Sequence, residues 1–310
     1  MITKRIVLIL GAGASIPYGY PSGHQLKWDI IKKLNASPSR LRISLKNLGI
    51  SDEHINEFRE VLFESGQFSI DALLEKRPEF IDVGKLSIVL MLIPLENEKD
   101  IFDESVPPVN DYDKKWYSYL FQKLKAGTRD LSDFMQNKLS IITFNYDRSL
   151  DYFLYTVLKT NFTPSEEKLI KAINHIEIVH VHGQIGTLPW QEKNSRLYDK
   201  SIPPSEEIKK ASEQIKIISE IESEDDGLSR AMHLLDRAEE VHFLGFAYHD
   251  ENMRKLRFNE QFFKKKIETG TSLGLGKMEK DEILSKFNID LINDDQFGIL
   301  DHLKNNVSFI

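Results

Sequence analysis

The sequence predicts an α/β fold: a Rossmann-like parallel sheet with helices on both faces and a helical lobe inserted into it. Two observations predict this. Short apolar runs of strand length are separated by stretches with helical periodicity, the pattern of crossover connections. Four of those runs also end in a glycine-containing or polar loop that leads into a helix. With 310 residues the chain is long enough for one large α/β domain carrying insertions.

The elements follow in order. Residues 5–10 are an apolar run that stops at Gly11, a short buried strand. Gly11-Ala12-Gly13-Ala14-Ser15 comes directly after it, and the Gly/Pro content through Tyr20-Pro21-Ser22-Gly23 marks a loop. A helix then starts near Ser22, with Leu26, Ile30, Ile31 and Leu34 on one face. The stretch from about 35 to 138 reads as a mostly helical insertion. Ser51-Asp52-Glu53-His54 opens one of its helices, with Ile55, Phe58 and Leu62 along the buried stripe. Residues 80–95 suit a helix or a buried strand; apolar positions over more than three turns favour the helix. Pro107-Pro108 breaks the chain before a helix through Trp116, Leu120 and Leu124.

Residues 139–144 form the second strand. Asp147 starts a helix whose Leu150, Phe153, Leu154, Val157 and Leu158 fall at i, i+3, i+4, i+7 and i+8. Thr163-Pro164-Ser165-Glu166 reads as a capping box with proline at the first helical position. Residues 176–181 are the third strand and 240–244 the fourth, with Asp250 capping the helix after it. The polar stretch from about 203 to 226 is a second insertion, a mobile loop with a helix or a lid. The whole is one domain, 1–310.

Composition limits the functions. The chain has no cysteine, which excludes disulfides, thiolate nucleophiles and cysteine-based zinc sites. A formal net charge of −7 argues against electrostatic binding of nucleic acid. The basic run Lys264-Lys265-Lys266 reads as a solvated helix face. No apolar run is long enough to span a bilayer, and the N-terminus lacks a signal-peptide pattern, so a cytoplasmic protein is expected.

The strand-end loops hold the candidate chemistry. Glycines at 11 and 13 allow close backbone approach to a phosphate, but the dinucleotide fingerprint's third glycine is replaced by Ile16. No acidic residue ends a second strand some twenty residues on, so an ordinary dehydrogenase is the wrong reading. Thr143-Phe144-Asn145-Tyr146-Asp147 lies where ligands bind in parallel sheets; read alone, Asn145 and Asp147 suit a turn and an N-cap equally well. In His180-Val181-His182-Gly183, strand alternation puts both histidines on one face. His182 is nearer the edge and is the candidate to face a ligand; His180 reads as structural. No third ligand is placed to make the pair a metal site. Gly245-Phe246-Ala247-Tyr248-His249-Asp250 repeats the layout after the fourth strand.

In order and placement, these motifs resemble the sirtuin-like superfamily, and more narrowly its bacterial branch. Ser69-Ile70-Asp71-Ala72-Leu73-Leu74-Glu75 and the Trp116-Tyr117 helix share the resemblance. It covers a minority of the chain. It implies an enzyme that cleaves NAD, as substrate, to nicotinamide and ADP-ribose. Gly11, Ala12, Gly13 and Ser15 would then lie against the pyrophosphate, and Gly245 and Phe246 would border the adenosine half. Asn145 would position the nicotinamide ribose or the attacking water. Asp147 would contact the carboxamide, and His182 would act on a ribose hydroxyl. The four zinc-binding cysteines of deacylase sirtuins are missing, and Ser15-Ile16-Pro17-Tyr18-Gly19 lacks their Asp-Phe-Arg. The resemblance therefore implies a zinc-free NAD hydrolase of anti-phage defence. It would be a homo-oligomer restrained by a regulatory partner such as an ATPase encoded nearby. An NAD-dependent protein deacylase and a non-catalytic NAD or ADP-ribose sensor are the alternatives.

Overall fold

A computed structural model describes residues 1–102, 115–217, 220–221, 226–256, 267–291 and 298–309. Six strands form one parallel sheet: β1 Ile6–Leu10, β2 Leu139–Thr143, β3 Ile178–His180, β4 Glu240–Leu244, β5 Ile267–Gly270 and β6 Asp290–Leu291. Their order is β3-β2-β1-β4-β5-β6, and every pairing is parallel. The chain steps outward from β1 through β2 to β3, crosses back, and steps outward again from β4. The strand order therefore reverses between β1 and β4, the place where open α/β sheets bind ligands. The expected α/β fold is the observed one. Two strands, β5 and β6, extend the sheet beyond the four expected.

The described helices, in chain order, are α1 Gly23–Asn35, α2 Arg40–Asn47, α3 Asp52–Glu64, α4 Ile70–Leu74, α5 Ile81–Leu92, α6 Glu98–Phe102, α7 Tyr117–Lys125 and α8 Leu131–Phe134. These lie between β1 and β2. After β2 come α9 Ser149–Phe162 and α10 Glu166–His175, then α11 Ser205–Glu213 and α12 Asp226–Arg237 before β4. The series ends with α13 Asp250–Lys255, α14 Lys277–Phe287 and α15 Ile299–Asn305.

Side-chain alternation along β1 divides the core in two. Ile6, Leu8 and Leu10 face a cluster that runs without a break into α1, α3, α5, α7 and α9. Val7 and Ile9 face the other cluster, with Ala231 and Leu235 of α12, Met253 of α13 and Phe287 of α14. The inserted helices thus share the sheet's own apolar core. Burying Trp116, Phe58 and Phe80 there contributes roughly 1.5–3 kcal/mol each. Such burial fastens the lobe far more firmly than its surface ion pairs could.

Several local expectations change. The loop after β1 forms a 3-10 helix over Ala12–Tyr18, closed by Gly19 in the left-handed region. Ser22 and Ser51 cap α1 and α3 as expected, and 81–95 is helical. The helix assigned to Asp147 begins two residues later, at Ser149. Thr163 does not open a capping box: it ends α9 at φ 41°, and Ser165 is the N-cap of α10. Asp250 is the first residue of α13, with His249 at the N-cap. The 203–226 stretch is no free lid where described, because α11 packs on α5 and Ile215 bridges Gly183. Lys264-Lys265-Lys266 and Pro107-Pro108 lie outside the described residues. Among the described residues, no helix is long and apolar enough to cross a membrane.

Candidate functional site

The carboxyl ends of β1 and β2 bring Ser15, Asn145 and Asp147 together. Asn145 Nδ2 donates to Gly11 O at 2.9 Å and to Ser15 Oγ at 3.1 Å. Ser15 Oγ in turn donates to Asp147 Oδ2 at 2.6 Å. The other Asp147 oxygen accepts from Ser149 N at 3.0 Å and from the Ser149 hydroxyl. That hydroxyl has spent its one proton, so Tyr117 OH is the donor in its 2.8 Å contact with Ser149 Oγ. All five residues are buried. Burial pushes the Asp147 carboxyl up, against the hydrogen bonds from Ser149 and Ser15 that favour its charged form.

The two histidines do not share a face. β3 ends at His180, and a turn closed by Gly183 N–H on His180 O carries His182 out of the sheet. The alternation argument therefore fails at His182. His182 sits instead between Phe144 and Tyr146, with ring centroids 5.1 and 6.0 Å away. It is 6% exposed, and among the described residues neither ring nitrogen has a hydrogen-bond partner. Burial lowers its pKa, Asp71 opposes that and Lys255 adds to it; the net direction is down, which leaves the imidazole neutral. His180 lies on the opposite side, 3.1 Å from Asp151 Oδ2.

The glycines do something the sequence did not suggest. A Cβ on Gly11 would stand 2.5 Å from Gly245 O, and one on Gly245 would stand 2.3 Å from Ala14 N. Gly245 also has φ +58°, where a side chain is strained. Gly11 and Gly13 donate their N–H groups to Leu244 O and Gly245 O, both at 3.0 Å. The close approach expected for a phosphate is thus made by the β4 loop itself, across the strand-order reversal. Ala12 is half-buried beside it. Phe246 is buried against Phe144, with centroids 5.1 Å apart, as part of the core.

The inserted helices close over these loops. Trp116 Nε1 donates to Ala14 O at 2.9 Å, and Tyr117 N donates to Tyr18 OH at 2.7 Å. Tyr146 OH donates to Asp71 of α4. Lys216 N, just after α11, donates to His182 O at 2.8 Å. A segment running from Gly183 to about residue 200 straps the other side. Its Gly186, Thr187, Arg196 and Leu197 carbonyls all accept from Arg148, which is fully buried and forked onto Glu96 by two 2.7 Å bonds. The cavity left among Ser15, Tyr117, Asn145, Asp147 and His180 is about 10 Å³, barely a water's worth. A larger depression of about 440 Å³ lies by Met135 and His175, at the amino end of β2 and away from these loops.

Arg148, Asp151 and Tyr117 were not singled out as site residues from the sequence. For Asp151 the signal was present: it lies between Leu150 and Leu154 on the buried stripe of α9, where a carboxylate requires a partner. Among the described residues, no three His, Asp or Glu side chains converge to hold a metal ion. No protein-family model matches the chain, and no curated protein matches it.

Proposed function

We propose that the chain cleaves NAD, as its substrate, to nicotinamide and ADP-ribose at the carboxyl ends of β1, β2 and β3. One observation carries the reading. A buried neutral imidazole, His182, has both nitrogens unpartnered among the described residues, and it is held by the two aromatic residues that flank Asn145. A neutral imidazole is the form able to accept a proton from a ribose hydroxyl. Ser15, Asn145 and Asp147, at the ends of β1 and β2, supply hydrogen-bonding groups, the chemical types needed to hold a ribose and a water in place. The resemblance to the bacterial sirtuin-like branch points to the same substrate. Its setting in phage defence, the homo-oligomer and the regulatory partner rest on that resemblance alone.

The closed cavity fits an enzyme kept inactive until its cover moves. It also favours a second reading, a module that binds NAD or ADP-ribose without cleaving it, because the Asn145 amide donors and both Asp147 oxygens are engaged in internal hydrogen bonds. Nicotinamide release separates the two. Asn145→Ala and His182→Ala are each expected to lose about 10²–10⁴-fold in rate, with melting temperatures measured alongside. A His182→Ala variant that folds normally and cleaves NAD at the wild-type rate would sink the assignment. Wild-type protein that binds NAD without releasing nicotinamide would favour the second reading.

A further inference from the structure

His180 contributes more to the site than its place on the strand suggested. Its Nε2 lies 3.1 Å from Asp151 Oδ2, and its Nδ1 lies 3.3 Å from the main-chain O of Asn145. Both neighbours are acceptors. A neutral ring can donate from one nitrogen only and would turn a lone pair toward the other oxygen; an imidazolium satisfies both. Asp151 is itself held in place, because Gln191 of the strap donates to its Oδ1 at 3.1 Å. The groups facing the ring are Asp151 from α9, Asp147 from the loop after β2, and the Asn145 carbonyl. Tyr117 of α7, Ser15, Asn145, Asp147 and His180 wall the same cavity.

We propose that His180, anchored by Asp151, is a positioning residue of the NAD-cleaving site, holding the Asn145 main chain in register and walling the cavity it shares with Ser15 and Asp147. The proposal rests on the NAD reading above and departs from the purely structural role expected of this histidine.

The two histidines then hold opposite protonation states. Burial alone would push His180 down, but the charge and hydrogen bond of Asp151 outweigh it, and the net direction is up. His182 is pushed down. Activity that needs a protonated His180 and a neutral His182 has an alkaline limb set by the first and an acid limb set by the second.

The test is nicotinamide release across pH by wild type, Asp151→Asn and His180→Gln, with melting curves. Asp151→Asn removes the charge that supports the imidazolium. It is expected to move the alkaline limb to lower pH and leave the acid limb in place. His180→Gln is expected to lower kcat by about tenfold or more with little change in KM, as for a misplaced reacting group, and to abolish the alkaline limb. A structural role would lower the whole profile without moving one limb. An unchanged kcat and profile in His180→Gln overturns the proposal.

If wild type releases no nicotinamide with any plausible activator, the cleavage reading fails, and ¹⁵N signals of the histidine rings decide about His180. A His180 ring that is doubly protonated at neutral pH, titrates lower in Asp151→Asn and shifts on saturation with NAD supports its place in the site. A His180 signal unmoved by NAD overturns it.

Discussion

Replacing Arg148 by methionine tests how the strap is held. The guanidinium is fully buried, forked onto Glu96 and shared among four main-chain carbonyls, of which Thr187 O at 2.8 Å and Leu197 O at 3.0 Å are the closest. Methionine keeps much of the apolar stem and removes every donor. Removing one partner of a buried ion pair typically costs about 3–5 kcal/mol, because the other charge stays behind. Here Arg196 still reaches Glu96, which moderates that term. The stranded carbonyls add to it, at roughly 1 kcal/mol or more for each one that water cannot reach. With the charge term lowered by Arg196 and the carbonyl cost added back, about 3–4 kcal/mol is expected. For a chain of 310 residues the unfolding entropy is about 0.65 kcal/mol/K, so the melting temperature should fall by roughly 5–6 °C. Calorimetry measures the shift, and limited proteolysis should cut the strap faster in the variant. Glu96→Gln should cost less than Arg148→Met, because Arg148 keeps its carbonyl partners. The double variant should be less destabilised than the two single effects added, since the groups share one interaction. An Arg148→Met protein melting within about 1 °C of wild type, well short of the cost of a broken buried pair, would refute the reasoning.

Gly245→Ala is expected to destabilise the fold more than an ordinary loop substitution. Its new Cβ would meet backbone at 2.3 Å in a left-handed conformation, and a drop in soluble yield or melting temperature checks this. Acid should also unfold the protein through the buried set formed by Glu240 and His242 of β4, Thr269 of β5 and His302 of α15. Burial lowers His302 to about 3, with His242 adding to the effect. Glu240 is lowered to about 2 by hydrogen bonding to His242, against burial and with help from Lys4. The unfolded chain takes up a proton on His302 below the ordinary 6.5, and on Glu240 below 4.5. Their contribution is thus complete above pH 6.5 and lost as pH falls toward 3 and then 2. His302→Gln should flatten the melting-temperature profile between pH 6.5 and 4.5; an unchanged slope there removes His302 from the account.

Four strands were legible because each is an apolar run ended by a glycine or polar loop. β5 was not. In Ile267–Gly270 the exposed position is an isoleucine and the buried ones are Glu268 and Gly270, the reverse of the usual signal. β6 is two residues long, too short for any periodicity. At the site, the rule that ligands bind at carboxyl ends of parallel strands located Ser15, Asn145, Asp147 and His182, and the structure brings the first three into direct contact. What that rule cannot express is which partner fills a glycine's empty space, since Gly11 and Gly245 are 234 positions apart in sequence and meet only through the sheet order. Arg148 was missed for a similar reason. A lone arginine after a strand reads as a surface charge, and Glu96, contributed by the inserted helices, together with the strap carbonyls makes its burial tolerable.

Two seams of the cover, apart from the α7 contacts of Trp116 and Tyr117, differ in strength. Along the strap, Glu96, Arg148 and Arg196 form a buried charged network, and releasing it leaves ions and carbonyls without partners in the interior. Along α4, among the described residues, the polar tie to the strand-end loops is the hydrogen bond from Tyr146 to Asp71. Such a bond contributes about 1–3 kcal/mol even when its acceptor is charged. A dinucleotide needs hundreds of cubic ångströms, and the cavity beside Asn145 offers about 10 Å³. Admission therefore requires part of the cover to move, and of these two seams the polar cost is lower at α4. That seam is also where His182 sits, against Tyr146 and within electrostatic reach of Asp71 and Lys255. If NAD is the ligand, opening there uncovers the neutral imidazole first and leaves the Arg148 network intact. Any free energy spent on opening weakens the apparent affinity by the inverse of the open fraction: an open state populated at about 1% costs about a hundredfold. A partner that captures α4 would return that factor without touching a residue of the site.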